Sequence, residues 1–138
     1  MSAVSIERVM AALPPRVARV MDGLLREPGS APVELHRAVS DYRNGLEVKA
    51  RGGDFLDIML ATELAHLLHR LIDTLQPPVA AERHRLVQAA VRYFVMEQDA
   101  ESDRDSLIGF EDDRLVAIAV AAELDVDAGE LAATAASG

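Results

Sequence analysis

The sequence predicts an all-α fold, arranged as a single-domain bundle of five or six helices. Apolar residues recur at intervals of three and four through most of the 138 residues, as they do along one face of a helix. Prolines and glycines interrupt this pattern, and no stretch shows the strict alternation of a strand or the turn signal of a hairpin. We expect one helical domain over 1–126, followed by an Ala-rich, frayed tail over 127–138.

The first part of the chain is predicted to form two helical stretches. Over 6–24 the apolar residues share one face, but Pro14 and Pro15 interrupt the pattern. Because proline disfavours helical geometry at the residue before it, we expect either two helices or one kinked helix at this point. A loop over 27–32 then precedes a helix over 33–50, which presents one apolar stripe.

The next two helices are predicted to form the centre of the bundle. The helix over 55–76 is apolar on most of its circumference, which is typical of a central helix with neighbours on most sides. Gly52 and Asp54 precede it and suit a helix C-terminus and an N-cap. The helix over 79–96 has its apolar residues on one face and polar residues on the other. Polar residues expected on exposed faces are Asp57, Glu63, His66, Arg70 and Asp73 in the first of these helices, and Glu82, Arg83, Arg85, Gln88 and Arg92 in the second.

Negative charge is concentrated in one stretch, the acidic segment (97–113). It contains eight acidic residues and a single arginine, and so carries seven of the nine net negative charges. Its part over 97–111 has no apolar periodicity and is predicted to be a loop. A short buried helix is expected to begin near Asp113, with Glu111 or Asp112 as its N-cap and Gly109 in the preceding turn.

Composition excludes several functional classes. The chain has no cysteine, so disulfides, thiolate metal sites and cysteine nucleophiles are absent. No cluster of lysines and arginines could neutralise phosphates, and nucleic-acid binding is not expected. The apolar stretch over 55–75 carries several charges, which would be costly in lipid, and the N-terminus lacks the basic start of a signal peptide. We therefore expect no transmembrane segment and a cytoplasmic location.

Two sets of side chains could hold a metal ion. Glu63, His66 and His69 follow one another at three-residue steps, and Glu-x-x-His on a bundle helix is half of the ligand set of di-iron carboxylate proteins. The alternative is that these histidines only pair with neighbouring acids or carbonyls. His36 and His84 lie among charged residues and are expected to be solvated.

The second set lies in the acidic segment. Carboxylates at Glu101, Asp103 and Asp105 followed by Asp112 are spaced as in a calcium-binding EF-hand loop. Ser106 stands where that loop needs glycine and Asp112 where it needs a longer glutamate, so an EF-hand is not expected. Oxygen ligands nevertheless favour Ca²⁺, Mg²⁺ or Mn²⁺, and the candidate ligands are Asp99, Asp103, Asp112 and Asp113.

Residues of this region also resemble the YkvA-like family, small helical bacterial proteins classed as a domain of unknown function. The spacing of the family's tyrosine, aspartates and glycine is met over about residues 90–124 by Tyr93, Asp99, Asp103, Gly109, Asp112 and Asp113. The family's prolines in this stretch are replaced here by Glu97, Ser102 and Ser106. The resemblance implies an all-helical fold and brings no established activity.

Function is predicted chiefly by elimination. The sequence contains no nucleophile with a paired base, no phosphate-binding loop and no dinucleotide motif. We expect a non-enzymatic interaction or regulatory module with the acidic segment as its recognition feature and a protein, which could be a second copy of the chain, as its partner. The alternative is a divalent-metal-binding protein or metal-dependent hydrolase that uses carboxylates of the segment with Glu63, His66 or His69.

Overall fold

A computed structural model describes residues 4–51, 58–96 and 106–129 of the chain. Within these residues the protein forms six helices and no strand, which confirms the all-α prediction. The helices are α1 (Ile6–Ala11), α2 (Pro15–Leu25), α3 (Pro32–Arg51), α4 (Ile58–Asp73), α5 (Ala81–Val95) and α6 (Ser106–Leu124).

The predicted interruption near the first proline pair is confirmed. Ser5 caps α1, because its hydroxyl accepts a hydrogen bond from the Arg8 amide at 3.1 Å. The helix ends at Ala11, and α2 begins with Pro15 in its first position, where the missing amide hydrogen has no cost. The sequence therefore gives two short helices here, and α2 packs against α5 while α1 lies on α6.

Helix α4 is central, as its composition predicts. It packs against α3, α5 and α6, and its apolar side chains from Ala61 onward are buried, whereas Met59 near its start is 76% exposed. Its polar residues form one stripe that remains partly or fully exposed, as expected for Glu63, His66, Arg70 and Asp73. The most deeply buried residues of α4 are Ala61, Leu64, Leu67, Leu68, Leu71 and Ile72.

Helix α5 differs from the prediction on its polar face, because Gln88 is only 2% exposed. Its side-chain carbonyl accepts from the Ser30 amide at 2.6 Å, and its amide donates to the Pro28 carbonyl at 3.0 Å. His84 is not simply solvated, since its Nε2 lies 2.8 Å from the Ser30 carbonyl oxygen. The polar face of α5 therefore satisfies the backbone of the loop that joins α2 to α3.

Helix α6 begins earlier than the sequence indicates. Ser106 is its first residue, so the predicted loop over 97–111 and the predicted helix start near Asp113 are wrong in their boundary. Asp112 and Asp113 lie in the second turn of α6, too far from its N-terminus to act as N-caps. Gly109 is part of the helix and not of a preceding turn. The helix ends at Leu124, after which Asp125 adopts a left-handed conformation with φ 62°.

No helix in the described ranges has the combination of length and apolar character that a membrane crossing requires.

Candidate functional site

The second turn of α6 faces α2 and α5 and brings four ionisable side chains into one neighbourhood. We call Arg16, Tyr93, Asp112 and Asp113 the acid corner. Arg16 of α2 binds Asp112 with both guanidinium nitrogens, at 3.2 Å and 3.1 Å from its two carboxylate oxygens. This two-point contact ties the start of α2 to α6 and fixes the orientation of the Asp112 carboxylate.

Asp113 has a different environment from its neighbour in the sequence. It is only partly exposed, and no residue in the described part of the chain forms a hydrogen bond or an ion pair with its carboxylate. Burial raises its pKa well above the usual range of an aspartate, and the negative charge of Asp112 raises this pKa further. The acid corner therefore contains a carboxylate whose charge no described residue compensates.

Tyr93, on α5, has a pKa that is raised in part by the same two carboxylates. Its ring is partly buried, and burial is the largest reason why its pKa rises to about 12. The charges of Asp112 and Asp113 raise this pKa as well, whereas the cation of Arg16 lowers it. The phenol is therefore protonated at neutral pH and can act as a hydrogen-bond donor beside the two carboxylates.

The predicted carboxylate metal site can be followed only in part. Asp112 and Asp113 are adjacent in the acid corner, whereas Asp99 and Asp103 lie outside the described residues. No group of three or more histidine, aspartate or glutamate side chains positioned for a metal ion is found among the residues that are described. The oxygen-ligand site for Ca²⁺, Mg²⁺ or Mn²⁺ thus stays a prediction.

A second group of ionisable side chains lies between α3 and α4, on another part of the surface. We call His36 and His69 the histidine pair. Their Nδ1 atoms are 2.7 Å apart, and the rings face each other edge to edge, with centroids 4.9 Å apart and planes inclined by 19°. The outer nitrogen of each ring faces an oxygen: His36 Nε2 lies 3.0 Å from Asp73 Oδ1, and His69 Nε2 lies 3.4 Å from Ser40 Oγ.

The protonation of the histidine pair follows from this packing. Partial burial lowers the pKa of His69, and the neighbouring His36 lowers it further, against a smaller opposing effect of Asp73. Because a hydrogen bond between two Nδ1 atoms needs one donor and one acceptor, the two rings hold complementary tautomers when both are neutral.

The sequence-predicted trio of α4 is not brought together as one site. His69 turns towards α3, whereas His66 is exposed and Glu63 is partly exposed on the same helix. His36, expected to be solvated, is instead the direct partner of His69. A signal for this contact exists in the sequence: His36 and Ser40 stand one turn apart on α3, and His69 and Asp73 one turn apart on α4.

Comparisons with protein-family models, with curated proteins and with solved structures found no match to this chain. The resemblance to the YkvA-like family therefore stays a prediction that rests on residue spacing. Of the residues that carry it, Tyr93, Asp112 and Asp113 meet in the acid corner, and Asp99 and Asp103 fall outside the described residues.

Proposed function

We propose that this chain is a non-enzymatic helical interaction or regulatory module, and that the acidic segment contacts a cationic surface of a protein partner. One observation carries the proposal: seven arginines of the described ranges bind oxygen atoms of the chain itself, whereas the acidic segment has eight acidic residues and one arginine. The segment holds seven of the nine net negative charges. Its single arginine cannot offset them.

At least seven arginines in the described ranges bind oxygen atoms of the chain. Five form ion pairs with carboxylates, including Asp112 of the acidic segment, and two donate to backbone carbonyl oxygens at loops or helix ends. Such contacts position helices and satisfy buried acceptors, so these cations are not simply a positive surface. The seven are Arg8, Arg16, Arg26, Arg43 and Arg92, bound to carboxylates, and Arg70 and Arg85, bound to carbonyls.

The acid corner adds a local reason to expect a cationic partner. A positive group beside Asp113 would favour its ionised form and remove the repulsion from Asp112, so the same contact would stabilise both the complex and the fold. Complementary charge also speeds encounter and selects against acidic partners. A second copy of this chain is less well matched than another protein, because seven of its arginines already bind its own oxygens and its net charge is −9.

The test uses a labelled arginine-rich peptide as a stand-in for the cationic partner surface. We compare the wild-type protein with a triple variant, Glu101→Gln, Asp103→Asn and Asp105→Asn, in fluorescence anisotropy at physiological salt. The matched control removes the same charge from exposed acids of the bundle, by Glu7→Gln, Asp41→Asn and Glu82→Gln.

The segment variant should bind about tenfold more weakly, since each lost contact contributes about 0.5 kcal/mol. The control should bind within about twofold of the wild type, if exposed acids elsewhere make no contact. Equal losses in both variants would show that only overall charge matters and would contradict the proposal. Sedimentation analysis of the protein alone would reveal self-association, which would point to a second copy as the partner.

A further inference from the structure

The histidine pair has the arrangement of nitrogen ligands around a metal ion. The two Nδ1 atoms face each other from adjacent helices at 2.7 Å, and each outer nitrogen faces an oxygen atom, Asp73 Oδ1 or Ser40 Oγ. Histidines that bind metals almost always have their second ring nitrogen held in this way, by a carboxylate, a carbonyl or water, which fixes the ring and leaves a lone pair on the other nitrogen. We propose that His36 and His69 bind one transition-metal ion, with zinc as the representative case.

The distances fit with a small movement. Zinc bonds to imidazole nitrogen are about 2.0–2.1 Å, so two ligands of a tetrahedral ion stand roughly 3.3 Å apart, about 0.6 Å more than the 2.7 Å separation here. The two rings must also turn so that both Nδ1 lone pairs point at the ion. His36 and His69 are both partly exposed, which leaves room for this movement. Water or a partner group completes the coordination, because the described residues supply two nitrogens.

The Ser40 hydroxyl can keep its hydrogen bond to His69 when His69 changes tautomer. Without metal, one Nδ1 must carry the hydrogen that it donates to the other. If His36 donates from Nε2 to Asp73, then His69 donates from Nδ1, and its Nε2 accepts from the Ser40 hydroxyl. When metal takes both Nδ1 lone pairs, the hydrogen of His69 moves to Nε2, and Ser40 turns from donor to acceptor. A hydroxyl serves either role, so the site needs no further rearrangement.

The class of metal follows from the donor atoms. Imidazole nitrogens suit zinc, copper and nickel, whereas carboxylates and carbonyls suit calcium, magnesium and manganese. The histidine pair therefore differs in metal preference from the carboxylates of the acidic segment, and it lies apart from Asp112 and Asp113. It also differs from the Glu63, His66 and His69 trio, since the second nitrogen ligand comes from α3.

The test uses all four histidines of the chain, two inside the site and two outside it. Titration of the wild-type protein with zinc, followed by calorimetry, should show saturable binding of one ion per chain. His36→Gln and His69→Gln should each remove this binding. His66→Gln and His84→Gln should leave it unchanged, and His66 is the closer control because it lies on α4 with His69. Asp73→Asn should weaken zinc binding by about tenfold or more, because it removes the carboxylate that orients His36.

Circular dichroism without metal checks that the site variants fold. If either does not, histidine ring resonances of the wild-type protein replace them, with the His66 and His84 signals assigned from their folded variants. Zinc should then shift the two remaining histidines together. The proposal is overturned by an absence of saturable binding in the wild type, by binding that persists in His36→Gln, or by an equal loss in His66→Gln.

Discussion

The acid corner and the histidine pair both bring two ionisable groups of the same kind side by side, yet their surroundings differ. In the histidine pair, each ring contacts the other through one nitrogen and faces an oxygen through the second. In the acid corner, Arg16 binds Asp112, whereas Asp113 has no hydrogen bond or ion pair from any residue in the described ranges. Among the described residues, every ring nitrogen of the histidine pair has a polar partner, whereas the Asp113 carboxylate has none.

This difference separates two kinds of binding feature. When the outer nitrogens of the two rings are held by oxygen atoms, the Nδ1 atoms are positioned before a ligand binds. A metal ion that binds through Nδ1 then needs little reorganisation of the protein. A buried carboxylate without a partner instead lowers the stability of the isolated protein, and a cationic partner gains affinity by relieving that cost.

The largest effect is expected for Asp113→Asn, which should stabilise the protein at neutral pH. The pKa of Asp113 is raised in the folded state above its ordinary value of 3.8. Its contribution to stability is therefore fully present below that value and is lost as the pH rises through the folded-state pKa. Each pKa unit corresponds to about 1.4 kcal/mol, and asparagine avoids this loss because it carries no charge.

Thermal melts at neutral pH and near pH 3 provide the measurement. The difference between Asp113→Asn and the wild type should be positive at neutral pH and should shrink towards zero in acid. Asp41→Asn is the control, since Asp41 is exposed on α3 and its neutralisation should change little. Destabilisation by Asp113→Asn at neutral pH would mean that the carboxylate has a partner after all.

Tyr93 should titrate near pH 12, and the neighbouring carboxylates should account for part of this value. In a Tyr42→Phe background, phenolate absorbance follows Tyr93 alone, because the chain has two tyrosines. Asp112→Asn should lower the Tyr93 pKa but leave it above 10, since burial is the largest cause of the shift. Arg16→Gln should raise it.

The linked effect on stability has a defined direction. A pKa that is raised in the folded state contributes stability below pH 10, and this contribution is lost as the pH rises to about 12. Tyr93→Phe should therefore lose less stability than the wild type over this alkaline range. An unchanged alkaline melt in that variant would contradict the shift.

The sequence was sufficient to predict the helices and the central position of α4, because these depend on apolar periodicity and on proline positions. It predicted the start of α6 wrongly. The acidic residues over 97–111 interrupt the apolar pattern, so the pattern places the N-cap at Glu111 or Asp112, whereas α6 begins at Ser106.

The candidate sites depend on contacts between helices that are distant in the sequence. His36 and His69 are 33 residues apart, and Arg16 and Asp112 are 96 residues apart. The one-turn spacing within each helix marks a polar face, but which faces meet is decided by the packing of α3 on α4 and of α2 near α6. For the same reason Gln88, placed on an exposed face by its polarity, is buried against a loop backbone.

A smaller effect is expected when metal-free protein is acidified. The pKa of His69 is lowered in the folded state from 6.5, so its contribution to stability is present above that value and is lost as the pH falls through the folded-state pKa. The groups that face it are His36, His66 and Asp73, of which only Asp73 favours its charged form. In the presence of a chelator, His69→Gln should lose less melting temperature between neutral pH and about pH 5 than the wild type or His66→Gln. Equal losses of melting temperature in all three proteins would show that folding does not lower the pKa of His69.

The smallest effect concerns the contact that distinguishes Asp112 from Asp113. The Arg16 side chain is 66% exposed and the Asp112 side chain 30% exposed, so water and salt screen the attraction between them. A double-mutant cycle should give a coupling of about 0.5–1 kcal/mol.

Asp112→Asn alone should change stability even less, because loss of the contact with Arg16 is offset by weaker repulsion of Asp113. In the Asp113→Asn background that compensation is absent, and Asp112→Asn should then cost the full coupling energy. The coupling should also fall as salt is raised. If Asp112→Asn costs the same in both backgrounds, the two carboxylates do not interact, and the acid corner is no more than a surface ion pair beside an independent aspartate.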